Sequence, residues 1–559
     1  MFWDSDRDEP PLGIVSTVKT VQPIATPFIP GWGAGSNADV QSSAELARRV
    51  ASLPPENSEA TPAELAAILV AFNKSGRARR RDLQALEALR TRVEAVLPAM
   101  QARLVGASVP LARATREHAH AVEKLLKELG AAYTRLALAP EPTFAFGRRA
   151  QLYPALVVAM DLVTRRLLLT YQLYARHPRF VWKTLHTLYR KAIDWGMADR
   201  EIDSPKASAL SIYRAAVLTA LADPPRLGPG ELQQARDYIA RFGDAASIGT
   251  VRNVPQPVNV FVLEGGRRDH AATALAMQPK ALRPTGSWVI VTRRLVERSQ
   301  FHLSQLQTGM SLRELGLPNE NDPARYRDLL QRLASNWQGK RRPRASRQHF
   351  WPRAEIRVGF APAWRLLNEI ESDADRAVAL ALRNTWSVRN ESPGGFALRH
   401  INGTVAALNV GELIGVHVAG RHDSYVCLVR WIKSDNREHL EIGLQHVAPR
   451  LVPVSFRGGL NGSMSHPVFF APVSPEFNRV PVLITPAQLI RPSTDFQIQY
   501  IGADIQLHSV RVLETTPYVD VIQVRPREAA SSELRQSRAN ASSSHHDDAP
   551  RRVVAGSRS

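Results

Sequence analysis

The chain has 559 residues, 44% of them hydrophobic, enough to fill several cores and roughly three or four domains by length. Its 72 lysines and arginines outnumber 52 aspartates and glutamates, so the formal charge is +20 and the surface favours phosphate-bearing partners. A single cysteine, Cys427, excludes an internal disulfide framework and any multi-cysteine zinc or iron–sulfur centre, and fits a reducing, cytoplasmic compartment.

The opening MFWDSDRDEPPLG is acidic and has neither the basic nor the apolar stretch of a secretory signal, so no export is expected. Residues 1–40 are rich in Pro, Gly, Ser and Thr without an apolar period and read as an extended arm. From 41 to 244 the period is helical. Leu65, Ile68, Leu69 and Phe72 recur at helix spacing, as do Leu83, Leu86, Leu89, Val93 and Val96. Further helices are expected near 109–137, 148–175, 178–197, 206–222 and 229–242, with short Pro- and Gly-bearing links that imply an antiparallel bundle. The most apolar stretch, Gln151 to Ala175, carries Asp161, Arg165 and Arg166 near its middle. Each would cost about 2.5–3.5 kcal/mol at a bilayer centre, so the stretch reads as a buried helix and no membrane span is expected.

Residues 245–339 read as a mixed connecting region. Val258, Val260 and Val262 alternate, SWVIVTRRLV is a second strand candidate, and Asp322 to Trp337 returns to helical spacing through Tyr326, Leu329, Leu330 and Leu333. Residues 340–450 open with the basic loop KRRPRASRQHFWPR. Six short strand segments follow: AEIRVGF, TWSVRN, FALRH, LIGVHV, SYVCLVRWI and LEIGLQHV, with a helical insertion, AWRLLNEIESDADRAVALAL, after the first. Such a run indicates a small barrel. Residues 451–526 (PVSFR, PVFFAPV, PVLIT, FQIQYIG, LHSVRVL, YVDVIQV) are either a further barrel or an extension of the first, and 527–559 is a Ser-, Ala-, Arg- and His-rich tail expected to be disordered. The fold class is therefore α+β and multidomain: an N-terminal all-α bundle, a C-terminal small antiparallel β-barrel and a further β-rich region.

Two features lie at a recognisable distance inside 340–450. One is the arginine cluster Arg341, Arg342, Arg344, Arg347, Arg353 and Arg357; the other is the turn Asn390-Glu391-Ser392-Pro393-Gly394-Gly395. An Arg-rich entry followed by Asn-x-Ser-x-x-Gly between two strands resembles the PilZ domain, and the LVRWI and LEIGLQHV segments resemble its closing strand pair. That family implies a receptor for cyclic di-GMP. The chemistry suits the residues: arginine forks onto phosphate, pairs with guanine O6 and N7, or stacks on a base. Asn390 and Ser392 offer hydrogen-bonding groups to a guanine edge, and Gly394 and Gly395 permit positive φ and close backbone approach. The resemblance thus implies a ligand set of Arg353, Arg357, Asn390, Ser392 and Gly395, with Arg341, Arg342, Arg344 and Arg347 as alternative loop arginines. The family pattern places Arg-x-x-x-Arg before the first strand; the one strict pair in this region, Arg353 and Arg357, runs into the strand itself.

Simpler readings stand beside these. The loop arginines can be a solvated linker, Asn390 to Gly395 a hairpin turn, and Trp364, Trp386 and Trp431 core packing. Cys427 reads as a small buried hydrophobe. His118 and His120, two apart on a helix, do not share a face, and His545, His546, Asp547 and Asp548 lie in the tail, so no metal is expected. No Walker A loop, Gly-x-Gly-x-x-Gly, Gly-x-Ser-x-Gly elbow or His-Glu-x-x-His occurs, which leaves an enzyme without a constellation and implies no cofactor beyond the ligand. The function expected is a non-enzymatic cyclic di-GMP effector whose helical region relays to an unidentified protein partner. The alternative is a PilZ-like scaffold that no longer binds nucleotide, as some members of that family do; nucleic-acid binding, from charge alone, ranks last.

Overall fold

The computed structural model describes residues 48–53, 60–75, 82–139, 146–203, 206–250, 258–263, 269–277, 288–318, 322–339, 352–368, 385–436, 439–448, 451–457, 465–474, 480–500 and 503–527. The arm read at 1–40, the loop arginines 341–347 and the tail beyond 527 lie outside them. The helical region contains α1 (Thr61–Lys74), α2 (Leu83–Ala102), α3 (Arg113–Leu138), α4 (Phe146–Gln172), α5 (Val181–Asp194), α6 (Ala209–Leu221) and α7 (Glu231–Phe242). Their apolar stripes meet in one core, where Leu65, Leu89, Leu129, Leu156, Leu185 and Leu218 are fully buried. At roughly 1.5–3 kcal/mol per buried side chain, this packing outweighs the small helix-propensity differences. Buried α4 keeps its charges in interhelical pairs: Arg165 Nη1 lies 2.5 Å from Glu94, and Arg166 Nε donates to Glu123 at 2.7 Å. Before α6, Ile202–Asp203 (β1) and Lys206–Ala207 (β2) form a short ladder, and Ser208 caps the helix by accepting from the Ser211 amide. Helix α6 therefore begins three residues later than the spacing suggests.

Strands β3 (Ser247–Thr250), β4 (Val260–Leu263), β5 (Thr273–Ala274) and β6 (Trp288–Val291) make one sheet in the order β3-β6-β4-β5. Strand β4 is buried on both faces: Val260 and Val262 pack with Leu275 and Val289, while Phe261 and Leu263 join the helical core. The valine alternation therefore marks two buried faces. The SWVIVTRRLV segment is divided, its strand ending at Val291 and helix α8 (Arg293–Gln307) burying Leu295 and Val296. Helix α9 (Pro323–Trp337) is integral to the helical core. It buries Tyr326, Leu329, Leu330, Leu333 and Trp337, whose indole donates to the Leu218 carbonyl at 3.1 Å.

Strands β7 (Arg353–Val358), β8 (Thr385–Ser392), β9 (Gly395–Asn402), β10 (Leu413–Val418), β11 (Ser424–Asn436) and β12 (His439–His446) close into a barrel. A second closed barrel holds β13 (Val452–Arg457), β14 (Ser465–Ser474), β15 (Val480–Pro486), β16 (Asp495–Tyr500), β17 (Ala503–Thr515) and β18 (Val519–Pro526). Both have one topology: two three-stranded meanders joined where the first strand pairs with the fourth and the third with the sixth. The β-rich stretch after 450 is thus a barrel of its own, built on the plan of the first. Helix α10 (Phe360–Leu367) lies between them; Ala363 packs with Leu413 and Leu428 on one side and Phe469 and Val482 on the other. The Trp364 indole donates to the Val454 and Val468 carbonyls, both at 3.2 Å. The expected continuation of this helix through 382 falls on 369–384, outside the described residues.

The first barrel also docks on the helical region. Val109 and Leu408 exchange backbone hydrogen bonds, the Ser434 amide donates to the Tyr174 carbonyl at 2.8 Å, and the Tyr174 ring enters the barrel core. A charged joint completes the contact between the three parts. Arg430 of β11 forks onto Glu514 of β17, while Asp328 of α9 accepts from the Thr515 amide close to Glu514. Burial and then Glu514 push the Asp328 carboxyl up to about 6. An acid with a raised folded-state pKa contributes most below its unfolded value, and that stability is lost as pH rises toward 6. Asp328→Asn is therefore expected to raise the melting temperature at pH 7.5 by the equivalent of about 1–2 kcal/mol, discounted for partial exposure, and to match the parent near pH 4. Equal melting curves at both pH values would show that the carboxylate carries no such penalty.

Candidate functional site

One end of the first barrel gathers the start of β7, the β8–β9 turn, the β10–β11 turn and the end of β12. Arg353, Asn390, Ser392 and Gly395 all lie there. The turn is a two-residue connection, Pro393-Gly394, closed by the Ser392–Gly395 pair. The Gly394 carbonyl accepts from the His446 amide at 3.0 Å, which fixes the turn to the last residue of β12. Gly395 has φ +145°, and a Cβ there would stand 2.0 Å from the Leu444 carbonyl oxygen. This position needs glycine. Gly394 differs from expectation: it is not among the positive-φ residues, and a Cβ there would meet nothing within 4 Å.

A β-bulge decides where the motif points. Trp386 and Val388 are buried in the barrel core, so simple alternation would turn Asn390 inward as well. The register shift between Val388 and Asn390 instead pairs Asn390 with Ala397 and Glu391 with Phe396. Phe396 belongs to the core, so Glu391 faces the barrel mouth and Asn390 the outer surface. At the mouth Glu391 accepts from both guanidinium nitrogens of Arg421, at 2.9 and 2.7 Å, and Arg421 Nη1 contacts the Tyr425 hydroxyl at 3.2 Å. Phe396, Tyr425 and His446 pack ring on ring beneath this pair, with centroids 4.7–5.3 Å apart. Burial lowers the His446 pKa, with Glu391 opposing and Arg421 adding to the shift, so the imidazole is neutral at pH 7. Sequence reading missed Arg421 and His446. The only signal was position, Arg421 in the link before the strand SYVCLVRWI and His446 at the end of the strand LEIGLQHV.

The outer face carries two rows of cross-strand neighbours. Arg353, Ser387, Arg399 and Glu441 are successive partners across β7, β8, β9 and β12, and Lys433 of β11 follows. One row nearer the turn come Asn390, Ala397, Gly443 and Trp431. The Trp431 indole lies directly over Gly443, where any Cβ would collide with it. Trp386 is the fully buried core residue the sequence suggested. Trp431 is a half-buried outer-face residue, because the bulge after Val429 sets it opposite Gly443.

Arg357 is not brought to this end. It sits on the outer face four residues along β7 from Arg353, about 13 Å at 3.3 Å per residue. Its register partner Gly415 is covered by Leu366 and Ala363 of α10, and its Nη1 lies 3.6 Å from Glu355. Cys427 is fully buried in the core and its thiol pKa is raised by that burial, in keeping with a hydrophobe. Among the described residues no cluster of metal-ligating side chains is present, and no helix is long and apolar enough to cross a membrane.

Residues 44–253 match the family model of the N-terminal domain of the cyclic-di-GMP receptor FimW, and residues 368–453 match that of the same receptor's middle PilZ domain. Comparison with curated proteins and with solved structures gave no match.

Proposed function

We propose, from the premise that this chain belongs to the PilZ-domain family of cyclic di-GMP receptors, that it is a non-enzymatic effector binding the dinucleotide on the first barrel. The observation that carries the reading is the convergence of Arg353, Asn390, Ser392 and Gly395 at one barrel end, with Asn390 turned outward by the bulge. In this reading the guanidinium of Arg353 and arginines from 341–347 take phosphate or guanine, while Asn390 and Ser392 hydrogen-bond a base edge. Residues 340–351 join Trp337, buried in the helical core, to Arg353 at the site. In this reading ligand binding at the barrel end biases the helical region, which relays the state to a protein partner.

The experiment is calorimetric titration of the full chain with cyclic di-GMP, with linear guanylate and cyclic di-AMP as controls. Saturable binding at micromolar concentration or tighter, selective for cyclic di-GMP, is expected. Asn390→Ala, Ser392→Ala and Arg353→Ala should each weaken it by at least about tenfold, the loss of one charge-assisted or buried hydrogen bond. Unchanged isotherms for all three would overturn the assignment. The second reading, a scaffold without nucleotide, draws on the placement of Arg357 away from the turn. Absence of heat from the parent chain would favour it.

A further inference from the structure

We propose that Arg399 is the second strand arginine of the ligand site, the part that the spacing of Arg353 and Arg357 would have given to Arg357. The inference rests on the cyclic di-GMP reading and adds a residue to it. Strand register places Arg353, Ser387 and Arg399 side by side on β7, β8 and β9. All three face outward, because their chain neighbours Ala354, Trp386 and Leu398 fill the barrel core. With strands about 4.8 Å apart, the two arginine stems rise about 10 Å from one another across Ser387. They leave the surface side by side, so their long side chains can converge on one anion from either flank.

The pair also adjoins the motif. Asn390 and Ala397 form the next outer-face row, one step nearer the turn, so Ser387 and Ala397 lie between Arg353, Arg399 and Asn390, with Arg389 in the bulge beside them. Small residues there leave room for a flat base or a phosphate; beyond Ala397 the Trp431 indole over Gly443 forms the wall. Arg357 lacks this setting. Its cross-strand neighbour Gly415 lies under α10, and its nearby carboxylate is Glu355 on its own strand. Glu441 flanks Arg399 on the side away from Arg353, which leaves the side toward Ser387 and Asn390 as the one for an anionic ligand.

The test is titration of the full chain with cyclic di-GMP for the parent, Arg353→Ala, Arg357→Ala, Arg399→Ala and Arg399→Lys, each checked for an unchanged cooperative melt. Arg399→Ala is expected to weaken binding about tenfold or more, and by more than Arg357→Ala does. Arg399→Lys should recover only part, since an ammonium cannot fork onto phosphate or guanine. Should Arg399→Ala melt early, Arg399→Gln keeps the stem and carries the same expectation. If the parent binds and Arg353→Ala weakens it while the Arg399 variants bind like the parent, this inference is overturned and the receptor reading stands. If the parent itself gives no heat, both fall.

Discussion

Gly395→Ala is expected to destabilise the first barrel by at least about 3 kcal/mol, whereas Gly394→Ala, one residue earlier, should change stability by less than about 1 kcal/mol. The contrast comes from backbone geometry. At Gly395 the chain has φ +145°, and β9 passes so close to β12 that a methyl group would stand 2.0 Å from the Leu444 carbonyl oxygen and 2.9 Å from the Gln445 Cα. These atoms are the backbone of β12, which cannot yield as a flexible side chain would. Relief requires breaking the Gly395–Gln445 and Phe396–Leu444 pairs, and with them the hold of His446 on the turn. At Gly394 the same methyl would point into open space. Urea denaturation of the two variants beside the parent reads the difference directly; equal midpoints would mean that the β9–β12 approach is not a constraint. The same substitution should abolish ligand binding, because Ser392 and Asn390 are positioned by the hairpin that Gly395 closes.

Arg430→Met should cost about 3 kcal/mol, with a larger effect at pH 8 than at pH 5. Arg430 donates to Gln445 at 2.6 Å on its own barrel and forks onto Glu514 of the second. Burial alone would raise the Glu514 carboxyl; the guanidinium of Arg430, with Arg332 adding to it, more than reverses that and holds the carboxyl below its ordinary value. In the parent, stability from Glu514 is therefore present above its unfolded pKa and lost as pH falls through the lowered folded one. Without Arg430 the sign inverts. A buried carboxylate beside Asp328 then favours its protonated form, so stability falls as pH rises. Denaturant midpoints at the two pH values test this, and Glu514→Gln in the Arg430→Met background should recover part of the loss through coupling of the two sites. A pH-independent difference would show that lost packing of the arginine stem, not charge, sets the cost.

Local pattern alone determined much of this protein. Apolar spacing of 3.6 marked the helices between 61 and 242, and period-two runs marked the strands of both barrels, because burying one face leaves its period in the chain. The motif from Asn390 to Gly395 and the arginines before it were legible as residue types with phosphate- and guanine-directed chemistry. What the pattern could not hold is everything that depends on a neighbour distant in sequence. The bulge after Val388 turns Asn390 outward and Glu391 to the mouth, and nothing in TWSVRNES announces the extra residue. Arg421 meets Glu391 thirty residues away, Arg399 stands beside Arg353 through strand register, and Gly395 is distinguished from Gly394 only by the carbonyl of Leu444. The alternating valines marked β4 as a strand, but alternation cannot report that both faces are covered. Likewise, whether the last six strands extended one barrel or closed another was settled by the pairing of β13 with β16 and of β15 with β18, a choice of hydrogen-bond partner that no single strand encodes.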